Sequence, residues 1–421
     1  MLWPGLQPFF FKGKDIKVRD IGKELNVETV LEGSCRKSGK RLRITAQLIN
    51  VENDYHIWSE KYDREMEDIF EIQDGISLAI AEALKIRLLN KEKAGMVKRH
   101  TDNHQAYEFY LKGNYFCWNQ RSEEGYHKAI EFFEKAIEKD PKYARAYAGI
   151  GKSYFALSLY FMDPNVAIPK AEKATRKALE IDNTIGEVYG LLGITHIYYY
   201  YWEEAEKYCQ RAVTLGPQDI YSYHVYGDIL NIMQKHDKAI RVLEQALELD
   251  PLSLNMNSVF GYTILYAHQY DDAIEQFLKV LEMDPDFQHT LMYLGLTYMA
   301  KDMVEEAINT LQKFYTLSGE SPIATALLGC AYARAGRKKD ALQMLERLDK
   351  LAKEKHVLSL HRALIYMGLG DDDQTFEQLE KTYTKHEPLF SVFNCGPLFD
   401  SIRSDPRYKA LIKKMNLDKW Y

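Results

Sequence analysis

Several residues of this sequence could do chemistry, but their spacing does not assemble a catalytic site. The acidic run Asp371-Asp372-Asp373 follows the glycine pair Gly368 and Gly370. Such a run can hold a cation, although three acids in one turn are more typical of a solvated helix start that the helix dipole favours. Glycine pairs can cradle a phosphate, but the P-loop, dinucleotide, nucleophile-elbow and zinc-protease patterns are all missing from the sequence. We therefore expect no catalytic residue, no metal site and no cofactor.

The composition and the cysteines fit a globular cytoplasmic protein. The 421 residues are 46% hydrophobic and 28% charged, which is ordinary for such proteins. The five cysteines form no C-x-x-C pair, so we expect reduced, mostly buried thiols. No apolar run reaches the roughly 18 residues that cross a bilayer, and we predict no membrane span. The apolar start lacks a basic leading region, so it is not interpreted as a signal peptide.

The charge balance argues against nucleic-acid binding. Lys plus Arg is 55 and Asp plus Glu is 61, a net charge of −6, whereas a dedicated nucleic-acid binder carries a basic excess. One local basic cluster consists of Arg36, Lys37, Lys40, Arg41 and Arg43. It could contact nucleic acid or an anionic membrane. The favoured interpretation is an exposed strand face whose charges discourage edge pairing.

A constant period of about 34 residues is the main signal in the sequence. Three series repeat at this spacing: Gly193, Gly227, Gly261, Gly295 and Gly329; Ala205, Ala239, Ala273, Ala307 and Ala341; and Pro217, Pro251 and Pro285. We expect each glycine where two antiparallel helices of one unit approach closely, and each alanine to face it across the crossing. Each proline should end the second helix, because it lacks an N–H and clashes with the preceding turn.

This pattern resembles the tetratricopeptide repeat (TPR), in which a small residue, a tyrosine, alanines and a proline follow in order. The tyrosine position is filled by Tyr154, Tyr298, Tyr332 and Tyr366. The resemblance covers residues 104–387 in about eight units. It implies a mostly α fold, a right-handed superhelical solenoid of helix-turn-helix repeats, which stacks each unit on its neighbours.

The amino-terminal region has a different period. Leu42, Ile44, Ala46 and Leu48 alternate with polar residues, which predicts a half-buried strand. Residues 29–35 and 55–62 are predicted as its partners, residues 15–25 as a helix before them and 68–89 as a helix after them. A turn is expected at 38–39.

The string from Glu32 to Ile49 and the string from Ile57 to Glu65 resemble the TolB-like domain, which in bacteria often precedes TPRs. Because the initial strand and helix of that family are not visible, residues 1–97 are predicted as a small, incomplete α+β domain with its connecting helix. Its exposed strand edge could support self-association.

The tail, residues 388–421, resembles the segment that often closes such arrays. A solenoid needs its last apolar helix face covered, so we predict a carboxy-terminal capping segment.

The TPR resemblance implies that the first helices of the repeats line a concave surface. The predicted partner-binding groove consists of Tyr198, Tyr221, His224, Asp228, Asn231, Asn255, Tyr262, Tyr266, His289, Met292, Met299 and Arg334. Tyr and Met side chains suit the binding of a peptide or helix. We expect Tyr262 and Tyr266 to serve binding with little role in stability, although mutual stacking without a ligand is equally open. The Lys and Asn clamp by which some TPR proteins grip a terminal carboxylate is absent.

Together these features predict a non-catalytic scaffold or adaptor that binds a protein or peptide segment of unknown identity. The alternative is a regulatory subunit or fragment of a signalling protein, such as an adenylate cyclase, a kinase or a transcription regulator. In that case the effector domain is not on this chain.

Overall fold

The computed structural model describes residues 17–24, 27–38, 41–65, 75–76, 79–80, 82–83, 100–120, 122–387 and 389–421. These residues fall into two compact units, one within residues 6–108 and the other from Phe109 to Tyr421. None of the helices in the described ranges is long and apolar enough to span a membrane. The five cysteines carry no disulfide, and all except Cys35 are buried.

The first unit contains a three-stranded antiparallel sheet. Its elements are α1 (Val18–Glu24), β1 (Thr29–Ser38), β2 (Arg41–Asn50) and β3 (His56–Glu65), with the strand order β1-β2-β3. The predicted alternation is confirmed, because Leu42, Ala46 and Leu48 are buried while Arg41 and Arg43 are exposed. The predicted turn extends into residues outside the described ranges, and so does most of the predicted helix at 68–89.

Two arginines of the basic cluster are held within the sheet. Arg41 and Arg43 each place a guanidinium nitrogen on the carboxylate of Asp63, at 3.0 and 2.7 Å. The hydrogen bond from Arg43 holds the pKa of Asp63 below its usual range. The two arginine side chains remain 64% and 69% exposed, so this cross-strand pairing adds little stability.

From His104 onward, the described residues form eight helical hairpins followed by a short tail. The hairpin helices are α2 (His104–Asn119) with α3 (Glu123–Lys139), α4 (Ala144–Tyr160) with α5 (Pro164–Ile181), α6 (Gly186–Tyr198) with α7 (Trp202–Leu215), α8 (Ile220–Ile232) with α9 (His236–Leu249), α10 (Leu254–Tyr266) with α11 (Tyr270–Met283), α12 (Gln288–Ala300) with α13 (Val304–Leu317), α14 (Pro322–Arg334) with α15 (Lys338–Leu351), and α16 (Ser359–Leu369) with α17 (Asp372–Thr384). The tail holds α18 (Leu389–Asn394), a 3-10 helix (Pro397–Ile402) and α19 (Pro406–Lys414). The chain is thus mostly α, a solenoid with a small sheet near its amino end.

The repeat glycines allow the two helices of a hairpin to pack closely. A Cβ added at Gly261 would lie 2.4 Å from the Phe277 ring, and one added at Gly295 would lie 2.6 Å from Leu311. Phe277 and Leu311 each follow the repeat alanine by four residues. At Gly193 the carbonyl oxygen of the repeat alanine Ala205 also lies 3.3 Å from the added Cβ, so both the alanine and the residue one turn after it face the glycine there. The alanines are themselves fully buried.

The turns inside the third to eighth hairpins share a backbone conformation that their residue types do not reveal. From the third to the eighth hairpin, one residue of the turn has a positive φ between 54° and 73°, again with the period of the glycine series: Tyr200, Gln234, His268, Asp302, Gly336 and Gly370. The following N–H bonds to a carbonyl five residues earlier, as Met303 does to Tyr298 at 2.9 Å and Arg337 to Tyr332 at 2.9 Å. This is the Schellman ending of a helix, in which glycine is favoured because it has no Cβ.

Exchanging residues at this turn position should change stability in opposite directions. Asp302→Gly removes the steric cost of a Cβ in the left-handed conformation and should stabilise the chain by about 0.5–1 kcal/mol. The matched change Gly336→Ala, one repeat later, should destabilise it by about 1 kcal/mol. Urea unfolding of both variants measures the two effects. Equal shifts of the same sign would contradict the backbone explanation.

A buried histidine closes the amino end of α16. His361 is 3% exposed, and its Nδ1 accepts the backbone N–H of Leu358 at 3.2 Å. Burial lowers the pKa of His361 to about 3. The unfolded chain, whose histidines titrate near 6.5, therefore binds a proton between about pH 6.5 and 3 that the folded chain excludes. Stability from this residue is present at neutral pH and is lost as the pH falls.

His361→Gln should make the chain less sensitive to acid, because glutamine offers a neutral acceptor at the same helix position. Between pH 7 and pH 5 the unchanged chain should lose about 2 kcal/mol more unfolding free energy than the variant. Urea unfolding at both pH values measures this difference. The exposed His127→Gln is the control and should keep the full acid sensitivity. Identical pH profiles for all three chains would refute a buried neutral His361.

Candidate functional site

The tail runs along the inner face that the first helices form. Helix α18 contacts α8, and the 3-10 helix contacts α12. Gly396 lies against Tyr266 so closely that a Cβ there would be 2.6 Å from the ring. The Trp202 indole Nε1–H donates to the carbonyl of Met415 at 2.7 Å within the core. Helix α19 of the tail also contacts α17 of the last hairpin, as an end cap would. The tail covers the middle repeats as well, so the predicted end cap describes only part of what it does.

Residues of the second and third hairpins also contact the end of the eighth hairpin. Tyr200 stacks on Tyr383 and on His386, each with ring centroids 5.7 Å apart. The Asn165 amide donates to the carbonyl of Lys385 at 3.4 Å. Part of the Tyr198–Trp202 aromatic stretch therefore serves packing between distant repeats rather than ligand contact.

Arg403 gives the tail its internal order. Its guanidinium donates to the carbonyls of Asn394 and Gly396, both at 3.0 Å, and to the Asp400 carboxylate at 2.7 Å. It also donates to the Tyr408 hydroxyl at 3.0 Å. Charge-assisted bonds of this kind are stronger than neutral ones, so they fix the path of the segment.

A cavity of about 420 Å³ remains beside the tail, on the inner face of the earlier hairpins. Its walls come from α4, α6, α8, α10 and α12, and Phe393 of the tail closes one side. Most of the lining is aromatic or aliphatic, including Phe155, Phe161 and Ile194. A volume of this size accommodates a small molecule or a few side chains.

Lys152 is the cationic side chain of the cavity wall, and it is already paired. Its Nζ lies 2.5 Å from a Glu187 oxygen and 4.5 Å from the centre of the Tyr221 ring. Although burial opposes the charged form, Glu187 raises the pKa of Lys152 above its usual range. The Lys152 charge in turn holds the pKa of Glu187 below its usual range. The pair is therefore charged at neutral pH and internally balanced.

Asp228 is the acidic side chain of the cavity wall. It accepts a short hydrogen bond from the Tyr262 hydroxyl, and His224 Nε2 lies 3.3 Å from its second oxygen. Burial, followed by the nearby Asp228 charge, raises the pKa of Tyr262 well above its usual value. The carboxylate thus lies beside a neutral phenol, with 17% of its side chain exposed.

Eight of the twelve predicted groove residues line the cavity: Tyr198, Tyr221, His224, Asp228, Asn255, Tyr262, His289 and Met292. The other four lie elsewhere. Asn231 is buried and donates to Thr263 Oγ1 at 2.7 Å, and Met299 is buried in the core. Arg334 donates to the carbonyl of Met299 at 3.2 Å, and Tyr266 is covered by the tail. A binding role for the twelve stays a prediction.

The expectation that Tyr262 and Tyr266 have little role in stability is at odds with their placement. Each is only 2% exposed, and their ring centroids lie 5.4 Å apart. Tyr262 also contacts Tyr293, with the centroids 4.5 Å apart. Burying two aromatic rings contributes several kcal/mol of stability, so truncating both would destabilise the fold as well as alter the cavity.

The acidic run belongs to the packing of the last hairpin. Asp371 caps α17 by accepting the backbone N–H of Gln374 at 3.1 Å, and Asp373 pairs with Arg407 of the tail at 2.8 Å. Gly370 provides the left-handed turn before it. Throughout the described ranges, no three His, Cys, Asp or Glu side chains are grouped as a metal ion would require.

Sequence reasoning missed Glu187 and Phe393. Glu187 stands in the first turn of α6, where the helix dipole alone explains an acid. Phe393 belongs to a tail with three phenylalanines close together, Phe390, Phe393 and Phe399. So many aromatic residues in a short tail indicate that it buries more apolar surface than the face of one terminal helix could cover.

Family models identify the repeat in part of this chain. Residues 220–251 and 260–322 match models of the tetratricopeptide repeat, so the chain contains TPRs. A TPR protein of Thermus thermophilus is 18% identical with a TM-score of 0.40, over 46% of this chain and 99% of that chain. Yeast Tom70 is 17% identical with a TM-score of 0.49, over 74% of this chain and 67% of that chain.

One curated relative is similar in sequence over a shorter range. The protein named "Putative adenylate cyclase 3" of Rhizobium meliloti strain 1021 is 33% identical over 161 residues, or 38% of this chain. The chain matches only 27% of the length of that relative.

The buried bond between Trp202 and the tail predicts that the tail is an integral part of the fold. Trp202→Phe removes the donor to the Met415 carbonyl and should destabilise the chain by about 1–3 kcal/mol in urea unfolding. The neighbouring Tyr201, 53% exposed, provides the control, and Tyr201→Phe should change stability by less than about 0.5 kcal/mol. Equal stability of the two variants would show that the tail leaves the inner face in solution.

Proposed function

We propose that this protein is a non-catalytic interaction scaffold that binds a short segment of a partner protein in the inner-face cavity. The observation that carries the proposal is the cavity itself, which the eight predicted groove residues line and the tail leaves uncovered. TPRs imply a protein-interaction scaffold. The cavity is the part of the repeat surface where a large apolar lining and several polar side chains lie together.

The volume of the cavity limits what can bind. An α-helix with its side chains is about 10–12 Å across, so a single turn already occupies roughly 400–600 Å³ and fills the cavity of about 420 Å³ beside the tail. A few side chains of a bound segment fit, and the tyrosine and methionine walls offer them contact area at modest entropic cost. The proposed occupant is therefore a short segment, in place of the long peptide or helix that an open groove would accept.

Three finer assignments belong to the same proposal. The amino-terminal unit is taken as a partial TolB-like domain, residues 104–387 as the TPR array, and the location as cytoplasmic. Self-association through the edge of β1 is an additional contact that this sheet could make.

A second candidate is a regulatory part of a signalling protein. The similarity to the relative named as an adenylate cyclase favours this candidate, and that similarity extends over a limited stretch of both chains. In this case the cavity would receive a segment of a cyclase, a kinase or a transcription regulator, and its occupancy would control that effector.

A charge placed in the cavity wall should abolish partner capture. Met292→Lys puts an ammonium group among apolar walls and should reduce the partner captured by the tagged chain from native-cell extract about tenfold or more, the effect of desolvating one charge. Leu278→Lys changes a 45% exposed residue on the second helix of a hairpin and should leave capture unchanged. Quantitative mass spectrometry of the captured proteins gives both values.

Unfolding midpoints of the two variants must agree with that of the unchanged chain for the comparison to count. Equal capture by all three chains would refute binding in the cavity. Identification of the captured protein as a cyclase, kinase or transcription regulator would favour the second candidate over a general adaptor.

A further inference from the structure

The charges of the cavity wall are unequally balanced. Lys152 faces the cavity but is neutralised at 2.5 Å by Glu187, which is only 29% exposed. Asp228 faces the same cavity, and among the described residues its ion-pair partner is the imidazole of His224 rather than a lysine or arginine. The second imidazole of the wall, His289, is engaged with the Ser258 hydroxyl at 2.9 Å. The wall therefore presents one carboxylate that no lysine or arginine among the described residues neutralises.

The aromatic side chains around this carboxylate reinforce its preference. Tyr221, Tyr262 and Phe393 of the tail all contribute aromatic side chains to the lining of the cavity. The face of an aromatic ring attracts cations, and Lys152 already uses the Tyr221 ring in this way, with its Nζ 4.5 Å from the ring centre. A positive group that entered the cavity would meet the same kind of surface together with the Asp228 charge.

A negative group would meet the opposite conditions. It would approach Asp228 at short range in a space of low polarity, where like charges repel strongly. The Lys152 amino group could not compensate, because its charge is committed to Glu187. This agrees with the absence of a carboxylate clamp in the sequence.

We propose that the cavity selects a cationic side chain, arginine or lysine, from the bound partner segment, with the charged group beside Asp228 and its apolar stem against the tyrosine and phenylalanine rings. This inference rests on the proposed function and specifies the chemistry of its partner. Asp228 is the specificity-determining residue, and the Lys152–Glu187 pair keeps the neighbouring part of the wall neutral.

Three blocked tripeptides test the assignment by isothermal titration with the full chain: acetyl-Leu-Arg-Leu-amide, acetyl-Leu-Gln-Leu-amide and acetyl-Leu-Glu-Leu-amide. The arginine peptide should bind about tenfold more tightly than the glutamine peptide, the effect of one partly desolvated charge pair. The glutamate peptide should bind more weakly than both. Asp228→Asn should reduce the preference for arginine to about threefold or less, while the exposed Asp272→Asn should leave it unchanged.

A second variant tests the neutral wall. Glu187→Gln frees the Lys152 charge, so the affinity for the glutamate peptide should rise and the preference for arginine should fall. Each variant is used only if its unfolding midpoint matches that of the unchanged chain, and Asp228→Ser replaces Asp228→Asn if that one does not fold.

Equal binding of the arginine and glutamine peptides would overturn the proposal, as would a preference that survives the loss of the Asp228 charge. No measurable binding of the arginine peptide to the folded chain would overturn it as well. These outcomes are separate from the proposed function. If partner capture depends on Met292 but the peptides show no charge preference, the scaffold role is supported and the cation preference is refuted. If the arginine peptide binds selectively but no partner is captured, the cation preference is supported and the scaffold role is not.

Discussion

The close approach of the two helices in each hairpin is the contact on which the rest of the second unit depends. At Gly261 the backbone of the first helix lies so near the Phe277 ring that no Cβ would fit. Because the same arrangement recurs with Leu311 at Gly295, successive hairpins have similar shapes and stack with a similar offset. That regularity places the inward residues of all the first helices on one continuous surface, which individual hairpins could not provide.

The curvature that follows from this stacking brings distant repeats together. Tyr200 of the third hairpin reaches Tyr383 of the eighth, and the tail fills the space between them. An apolar inner wall is stable only when something covers it, and here the chain itself covers its middle section. In our proposal, function is therefore confined to the cavity that the tail leaves open on the inner face, and its limited volume makes the chemistry of the bound side chain, rather than the length of the segment, the basis of selection.

In the cavity, ion pairing within the wall decides which charge the wall offers to a ligand. Taking Lys152 out of water is costly, and its bond to Glu187 offsets that cost only because both remain charged. The pair then contributes no net charge to a ligand. Asp228 instead accepts a hydrogen bond from the Tyr262 phenol and lies beside the His224 imidazole, so in our proposal its charge remains available to a ligand. In our proposal the difference between these two arrangements sets the preference of the cavity for a cation.

The sequence by itself determined the fold class, the repeated helical hairpin and eight of the residues that line the cavity, because these features recur with one fixed period. It also determined the three strands, since their alternation is a local property. The left-handed turns escaped notice, because the backbone repeats there while Tyr200, Asp302 and Gly336 share no side-chain type. The path of the tail, the burial of Tyr266 and the Lys152–Glu187 pair were decided only by the tertiary structure. They join residues from different repeats or from the tail, and no period in the sequence records such contacts.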